Sequence, residues 1–339
     1  MRQRFVLKIG SRTIVLGERT LVMGVLNVTP DSFSDGGRYL SPRRAIEHGL
    51  EMVRQGADWV DVGGESTRPG SKPVPSDEEL RRVLPVIRAL REKLPVLPIS
   101  IDTTKATVAE EAVRAGAAIL NDVSGLRFDA RLGEVARRHG TPLILMHMRG
   151  RPETMQQMPF AKSIWRVVRQ GLARSIRAAL AAGVHRSQLI IDPGLGFGKS
   201  RRQNLELLRG LERLKTFHLP FLVGTSRKSF VQAIVAGEGL IPAKLELDFS
   251  PEGSARSRRS GQAPTGGPRR KLWVLTEKAE ACSGRWRERG ALPSLLAGDA
   301  AAVVASILAG AHIVRVHDVG SILPAVRIAD AVLKAGRRE

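Results

Sequence analysis

Polar and charged side chains that could bind a ligand follow a series of short apolar runs along the chain. They are Asn27, Asp102, Asn121, Asp192, Lys228, Arg315 and His317. Any one of them alone is more typical of a capping or turn residue. Their recurrence after run upon run is hard to explain by capping, because carboxylates, amides, lysine and arginine are also the groups that bind polar and anionic ligands.

The apolar runs and the segments between them predict the elements that position these side chains. Eight runs predict strands, at 21–28, 58–64, 98–104, 119–125, 143–148, 189–194, 221–226 and 312–319. Segments of helical period lie between them, including 45–56, 77–93, 108–116, 164–183 and 204–217, and 325–336 closes the chain. Eight strands with intervening helices over roughly 250 residues plus insertions predict a (β/α)8 TIM barrel. A doubly wound parallel sheet remains the alternative fold.

The barrel prediction can be checked within the sequence itself. Active sites in this fold lie at the carboxyl ends of the strands, so unusual polar residues should concentrate there and not at the strand starts. The candidate residues do follow or end their strands. The pattern therefore predicts one catalytic face.

Composition limits the class of protein. Lysine and arginine number 54 against 33 acidic residues, which gives a formal net charge of +21. That excess suits anionic ligands, but the few aromatic residues and the lack of a basic-aromatic motif disfavour nucleic-acid binding. The single cysteine, Cys282, fits a reducing cytoplasm, and no apolar stretch reaches the roughly 18 residues of a membrane span. Residues 1–18 lack a signal-peptide core and predict a β-hairpin around Gly10 and Ser11.

The segment MGVLNVTPDSFSDGG, residues 23–37, changes from an apolar run into a long polar stretch with Pro and Gly. A connection needs only a few turn residues. A segment of this length directly after a strand predicts a loop that moves over a ligand.

Several long motifs occur in an order that resembles one enzyme family. They are LNVTPDSFSDGG, GADWVDVGGESTRPG, SIDTTKATVAEEAVRAGAAILNDVSG, LILMHMRGRPETMQ, LIIDPGLGFGKS, GTSRKSF and GAHIVRVHDV. Together they resemble the dihydropteroate synthase family of pterin-binding TIM barrels over residues 15–235 and 298–336. The resemblance implies an enzyme of folate biosynthesis, a sulfonamide target. It would join 6-hydroxymethyl-7,8-dihydropterin pyrophosphate to p-aminobenzoate with Mg²⁺, releasing pyrophosphate and 7,8-dihydropteroate.

The resemblance assigns a pocket for the pterin. The ring presents N–H donors beside a carbonyl, so it needs buried carboxylates and a cation. By resemblance, Asp192, Asn121 and Asp102 take the ring nitrogens and the amino group, and Lys228 faces the carbonyl. The resemblance also places Met146 and Phe197 against the ring. A helix N-cap is the alternative role for Asp102.

The resemblance also assigns the rest of the site. Arg315 and His317 would bind pyrophosphate, and Asn27 would bind Mg²⁺. Loss of pyrophosphate leaves a carbocation-like centre that Asp102 would favour, so charge stabilisation is needed. Catalytic roles therefore fall to Asp102, Lys228, Arg315 and His317.

The loops after the first two strands would exclude water and form the slot for p-aminobenzoate. By resemblance, Asp35 and Arg68 hold these loops together. Thr67, Arg68, Pro69 and Ser229 border the arylamine.

Other interpretations remain open at this stage. GLGFGKS ends like a phosphate-binding loop, but Pro193 stands where the first glycine belongs, so nucleotide hydrolysis is disfavoured. A methyltetrahydrofolate-type methyltransferase domain would have little use for the Asn27 loop or for Arg315. A catalytically silent homologue is the third alternative. His147 and His317 could both be structural histidines.

One stretch departs from the family. An insertion at about 240–297, rich in Gly, Ser, Pro and Arg, interrupts what we predict to be a single domain over 1–339. Its composition cannot bury enough apolar surface to offset its ordering entropy, so we expect disorder between 252 and 271. We expect it to supply no catalytic group. The family resemblance further implies a homodimer in the cytoplasm.

Overall fold

The computed structural model describes residues 2–29, 42–155, 157, 160–237 and 291–335, with side chains from 295 onward in the last range. Within these residues, the central element is a sheet of eight parallel strands. The strands are β3 (Leu21–Asn27), β4 (Trp59–Gly63), β5 (Ile99–Asp102), β6 (Ile119–Asp122), β7 (Leu143–Met146), β8 (Leu189–Asp192), β9 (Leu222–Gly224) and β10 (Ile313–Val316). All eight predicted strands are confirmed, each slightly shorter than its apolar run.

The sheet closes into a barrel. Its order is β8-β7-β6-β5-β4-β3-β10-β9, and a parallel bridge between Ile191 and Phe221 joins the first strand to the last. This is the (β/α)8 TIM barrel that the pattern predicted. The first and last barrel strands in the sequence, β3 and β10, are neighbours, with Met23 opposite Arg315.

Helices surround the barrel in the described part of the chain. They are α1 (Pro42–Arg54), α2 (Ser76–Lys93), α3 (Ala106–Arg114), α4 (Arg131–His139), α5 (Ile164–Ala181), α6 (Arg201–Arg209), α7 (Ser229–Val235), α8 (Ala291–Leu308) and α9 (Val319–Ala335). The strand interiors are apolar, and the core packs them against the inner faces of these helices.

Several helix boundaries differ from the prediction. The helix predicted over 204–217 is wrong as a single element, because α6 ends at Arg209 with Gly210 as its C-cap, and a 3₁₀-helix follows over Leu211–Phe217. A Cβ at Gly210 would lie 3.0 Å from Nε1 of Trp165, so close packing at this point favours a residue without a side chain. Helix α8 begins at Ala291, inside the range assigned to the insertion.

The predicted N-terminal hairpin is confirmed as β1 (Phe5–Ile9) and β2 (Arg12–Leu16). Its buried residues Leu7, Ile9 and Leu16 join a cluster with residues from the strand starts, including Leu21. The hairpin therefore covers the amino-terminal end of the barrel, and the catalytic face lies at the other end.

Some predictions concern residues outside those the structure describes. These are Asp35 and the loop around it, and the predicted disorder between 252 and 271. Among the described helices, none combines the length and the apolarity that a membrane crossing requires.

Candidate active site

The carboxyl ends of β5 to β8 bring five predicted residues to one buried region. Asp102 pairs in register with Asn121, and Met146 pairs with Asp192. All are 6% exposed or less, and Phe197 from the loop after β8 is 8% exposed. Met146 and Phe197 also share a small apolar cluster. The structure thus assembles the predicted pterin-binding set from separate strands.

A buried network of charges lies at the centre of this face. The Arg315 guanidinium donates from Nε to Asp61 Oδ2 at 2.7 Å and from Nη2 to Asp102 Oδ2 at 2.7 Å. Asn121 Nδ2 donates to the same Asp61 oxygen at 2.9 Å. Asp61 Oδ1 is buried without a hydrogen-bond partner among the described residues. Asp61, which the sequence analysis missed, therefore orients two residues of the predicted site.

The environment of Asp102 perturbs its ionisation. Burial raises the pKa of Asp102 to about 7, with Arg315 opposing the rise and Asp61 adding to it. The alternative role as a helix N-cap is not what the structure shows. Lys105 occupies the N-cap position of helix α3 without a side-chain capping bond, and the Ala106 N–H donates to Asp129 Oδ2 at 3.0 Å.

Asp192 and Lys228 lie on either side of the apolar residues. Asp192 Oδ1 accepts the Gly194 N–H at 2.6 Å, and burial raises the pKa of this carboxyl to about 6. Lys228 Nζ lies 4.2 Å from the centre of the Phe197 ring, and burial lowers the pKa of Lys228 to about 8. A cation and an acceptor thus face the same pocket.

The loop after β8 is held from inside by a buried lysine. Lys199 Nζ donates to the carbonyl oxygens of His147, Gly194 and Phe197 at 3.1, 2.6 and 3.1 Å. All three hydrogen bonds of its ammonium group go to backbone carbonyls. This is expected if GLGFGKS does not bind nucleotide phosphates. Lys199 was not predicted as a site residue, and its hydrogen bonds show that it shapes the loop that carries Phe197.

The two histidines differ in their surroundings. His147 is 6% exposed, and burial lowers its pKa well below the usual value, which is consistent with a structural role. His317 is partly buried, with Nδ1 3.3 Å from Ser226 Oγ. Burial and the neighbouring Arg315 lower the pKa of His317, so its ring is neutral in the free protein.

The predicted arylamine residues lie at the rim of the barrel. Thr67 is half-buried, whereas Arg68, Pro69 and Ser229 are exposed. The loop that carries Thr67, Arg68 and Pro69 is anchored by Lys105, whose ammonium bonds both Glu65 and the buried Glu79, whereas Ser229 begins helix α7.

Asn27 ends β3 at this same face, and a Cβ on the neighbouring Gly63 would lie 3.6 Å from Asn27 Oδ1 and 3.5 Å from Asp102 Cβ. Asn27 and Asp102 therefore flank Gly63. The proposed partner of Arg68, Asp35, is outside the described residues.

We expect activity to depend on pH with two limbs. The pKa is about 6 for Asp192 and about 7 for Asp102 in the free protein. We therefore expect kcat/KM to fall as pH drops below that range, because both carboxylates must be charged to accept the N–H groups of the predicted pterin ring. The pKa of about 8 for Lys228 predicts a second fall at higher pH. A pH profile of kcat/KM checks this, and Lys228→Arg should remove the alkaline limb. An unchanged alkaline limb in that variant contradicts the assignment to Lys228.

A TIM barrel whose carboxyl face buries carboxylates, an amide and cations around apolar side chains defines an enzyme of the pterin-binding class. Residues 23–254 match the family model of pterin binding enzymes. The chain is 40% identical over 326 residues to the dihydropteroate synthase of Synechocystis, covering 96% of this chain and 94% of that protein. It therefore belongs to the pterin binding enzymes and, among them, to the dihydropteroate synthase family.

Solved structures agree with this placement. The Yersinia pestis dihydropteroate synthase in complex with a sulfonamide drug superposes with a TM-score of 0.76 at 34% identity, covering 98% of this chain and 100% of that chain. The Xanthomonas albilineans enzyme with 4-aminobenzoic acid superposes with a TM-score of 0.75 at 35% identity, covering 98% and 99%.

Proposed function

We propose that the protein condenses 6-hydroxymethyl-7,8-dihydropterin pyrophosphate with p-aminobenzoate, giving 7,8-dihydropteroate and pyrophosphate. The observation that carries this proposal is the buried set Asp102, Asn121 and Asp192 beside Met146 and Phe197. Its acceptors suit the N–H edge of a pterin, and its apolar side chains suit the ring faces. The relatives named dihydropteroate synthase support the same reaction.

The proposed mechanism separates charge within a water-excluded pocket. As the bond from the CH₂ group to pyrophosphate lengthens, positive charge grows on the pterin and negative charge on the leaving group. The carboxylates of Asp102 and Asp192 stabilise the positive charge on the pterin. Lys228 binds the pterin carbonyl, and Arg315 binds the pyrophosphate. The arylamine nitrogen bonds to the CH₂ carbon as the C–O bond to pyrophosphate breaks, and the proton lost from nitrogen passes to solvent or to the released pyrophosphate. An arylamine is nucleophilic as it stands, so its attack needs no general base.

Asn27 is the residue that would hold Mg²⁺. Its neutral side-chain oxygen makes no hydrogen bond to any residue that the structure describes, and Mg²⁺ in such enzymes is held by few protein oxygens together with phosphates and water. The donor chemistry therefore fits. When bound, the ion would neutralise charge on the departing pyrophosphate.

Product identification tests the reaction. Purified protein incubated with both substrates and Mg²⁺ should yield a species with the mass of 7,8-dihydropteroate. If the pterin pyrophosphate is instead hydrolysed to 6-hydroxymethyl-7,8-dihydropterin, the proposed function is wrong. If it remains unchanged, the proposed function is wrong and the silent homologue is favoured.

We expect ordered binding. The slot for p-aminobenzoate borders the rim residues Thr67, Pro69 and Ser229, so p-aminobenzoate alone should bind poorly and gain at least about tenfold in affinity when pterin and pyrophosphate are present. Calorimetric titration with and without these ligands measures the gain. Equal affinity in both titrations refutes the ordered model. Sulfonamides, which imitate p-aminobenzoate, should compete with it.

We further propose a cytoplasmic homodimer. Ile328 and Val332 on α9 are 66% and 57% exposed, and Leu308 at the end of α8 is 46% exposed. Large apolar side chains in such exposed positions favour burial against a second copy. A single cysteine fits a reducing compartment.

A further inference from the structure

Helix α8 carries a buried carboxylate that contacts the turn before Lys228. Asp299 is 1% exposed, and its Oδ1 and Oδ2 accept the backbone N–H of Arg227 at 3.1 and 2.9 Å. The Ser226 hydroxyl donates to Asp299 Oδ2 at 3.1 Å. The residue thus bonds both positions that precede Lys228, and nothing in the proposed reaction requires a carboxylate there.

The turn that Asp299 holds has an unusual backbone. Arg227 adopts a φ of 57°, in the left-handed region that costs a non-glycine residue about 1 kcal/mol or more. The Arg227 side chain is fixed as well, because Nη2 donates to Asp318 Oδ1 at 2.9 Å. Acidic groups from two elements therefore hold the backbone and the side chain of the residue next to Lys228.

Close packing of two helices brings Asp299 to this turn. A Cβ at Gly298 would lie 2.5 Å from Val235 Cγ2 and 3.1 Å from Val231 Cγ1. Only a glycine lets α8 approach α7 this closely at the residue before Asp299. The contact between α7 and α8 therefore fixes the position of the Asp299 carboxylate.

Ser226 extends the network from Asp299 to His317. Its Oγ is 3.3 Å from both the backbone nitrogen and Nδ1 of His317. A serine hydroxyl has one hydrogen, and a carboxylate is a stronger acceptor than a neutral imidazole nitrogen. The hydrogen therefore points to Asp299, which leaves Ser226 Oγ to accept from Nδ1–H. His317 is then the tautomer with an unprotonated Nε2.

We propose that Asp299 is a positioning residue for the pyrophosphate end of the site. Through Ser226 it holds His317 as the Nδ1–H tautomer, and through the Arg227 N–H it fixes the turn that presents Lys228. Burial, together with the charges of Arg315, Arg227, Lys228 and Arg68, lowers the pKa of His317 and keeps the free ring neutral. The role at the pyrophosphate end rests on the proposed function, whereas the tautomer does not.

The tautomer is tested on the resting protein by ¹⁵N NMR of labelled histidines, with the His317 signal assigned by its loss in His317→Gln. In Asp299→Asn the amide oxygen can keep the Arg227 N–H, and the NH₂ group then donates to Ser226 Oγ. The hydroxyl hydrogen must turn to Nδ1, so the protonated nitrogen should change from Nδ1 to Nε2. The same tautomer in wild type and variant, or Nε2–H in wild type, overturns the proposal. Ser226→Ala, which removes the acceptor of Nδ1–H, should also lose the wild-type signature and serves if Asp299→Asn fails to fold.

A matched control lies on α9. Asp330 likewise accepts a backbone N–H and a hydroxyl, both from Thr20 at 2.8 Å, but at the amino-terminal end of the barrel, where it also pairs with Arg2. Asp330→Asn should leave the His317 signal unchanged.

In steady-state kinetics, Asp299→Asn should raise the KM for the pterin pyrophosphate about tenfold and leave that for p-aminobenzoate within about twofold. Equal increases for both substrates would indicate a merely structural role and overturn the proposal. An inactive wild-type protein that shows the predicted tautomer would count against the proposed function and not against the contacts assigned to Asp299, Ser226 and His317.

Discussion

Replacing Asp192 by asparagine should cost the protein its affinity for the dihydropterin pyrophosphate while leaving the barrel folded. The Gly194 N–H occupies Oδ1, so the asparagine oxygen would keep this bond and its NH₂ group would face the pocket. A donor would then meet the N–H edge of the pterin, and the charge would be lost. The expected cost is about 2 to 4 kcal/mol, or roughly 30- to 1,000-fold in Kd.

Isothermal titration calorimetry of the Asp192→Asn variant measures this loss. Asp122 offers a matched control, because it is also a buried carboxylate at a strand end and accepts the N–H groups of Ser124 and Leu126 at 2.8 and 2.6 Å. Asp122→Asn should lower the free energy of unfolding and leave pterin affinity near wild type. Wild-type affinity in Asp192→Asn would refute the role assigned to Asp192.

Removing the Arg315 charge should have the largest effect on both activity and stability. Arg315→Met leaves Asp61 and Asp102 buried without their shared cation and removes a binding group for pyrophosphate. Breaking such a buried pair costs about 3 to 5 kcal/mol in unfolding free energy. Turnover should fall by at least about a thousandfold, equivalent to about 4 kcal/mol in the barrier.

Denaturant unfolding of Arg315→Met at several pH values measures how much of its loss of stability comes from the charge left on Asp102. Without the cation, the folded-state pKa of Asp102 rises further above its unfolded value, so the carboxyl destabilises the fold when charged. The stability deficit should therefore shrink as pH falls through the variant's raised pKa toward about 7, because below that pH Asp102 is protonated in the wild type and in the variant alike. Arg315→Lys keeps a charge but cannot bridge both acids, and it should recover stability more than turnover. A deficit that does not change with pH would contradict the buried-charge explanation.

The barrel could be predicted from the sequence because its signals are local. Each strand is a short apolar run, and the polar residues at the strand ends stand out against it. The split at Gly210 was not predicted, because the apolar period runs on through this glycine, and its close contact with Trp165 on another helix is visible only in the folded chain.

The missed residues are those whose partners lie far away in the sequence. Asp61 is separated from Arg315 by 254 positions, although an acidic residue in the middle of the apolar run DWVDVGG was a detectable signal, since buried acids are rare unless paired. Asp299 follows the insertion and reaches a turn 72 positions earlier. In the sequence Lys199 is distinguished only as the lysine of GLGFGKS, and its carbonyl partners are apparent only in the folded loop.

The central claim is that this barrel transfers a pterinylmethyl group to an arylamine, and a steady-state assay of pyrophosphate release tests it most directly. With 6-hydroxymethyl-7,8-dihydropterin pyrophosphate and Mg²⁺ present, release should depend on p-aminobenzoate, saturate with it, and match dihydropteroate formation one for one. Asp192→Asn should abolish the signal at the same substrate concentrations. Release that is absent, or that proceeds at the same rate without p-aminobenzoate, would contradict the account.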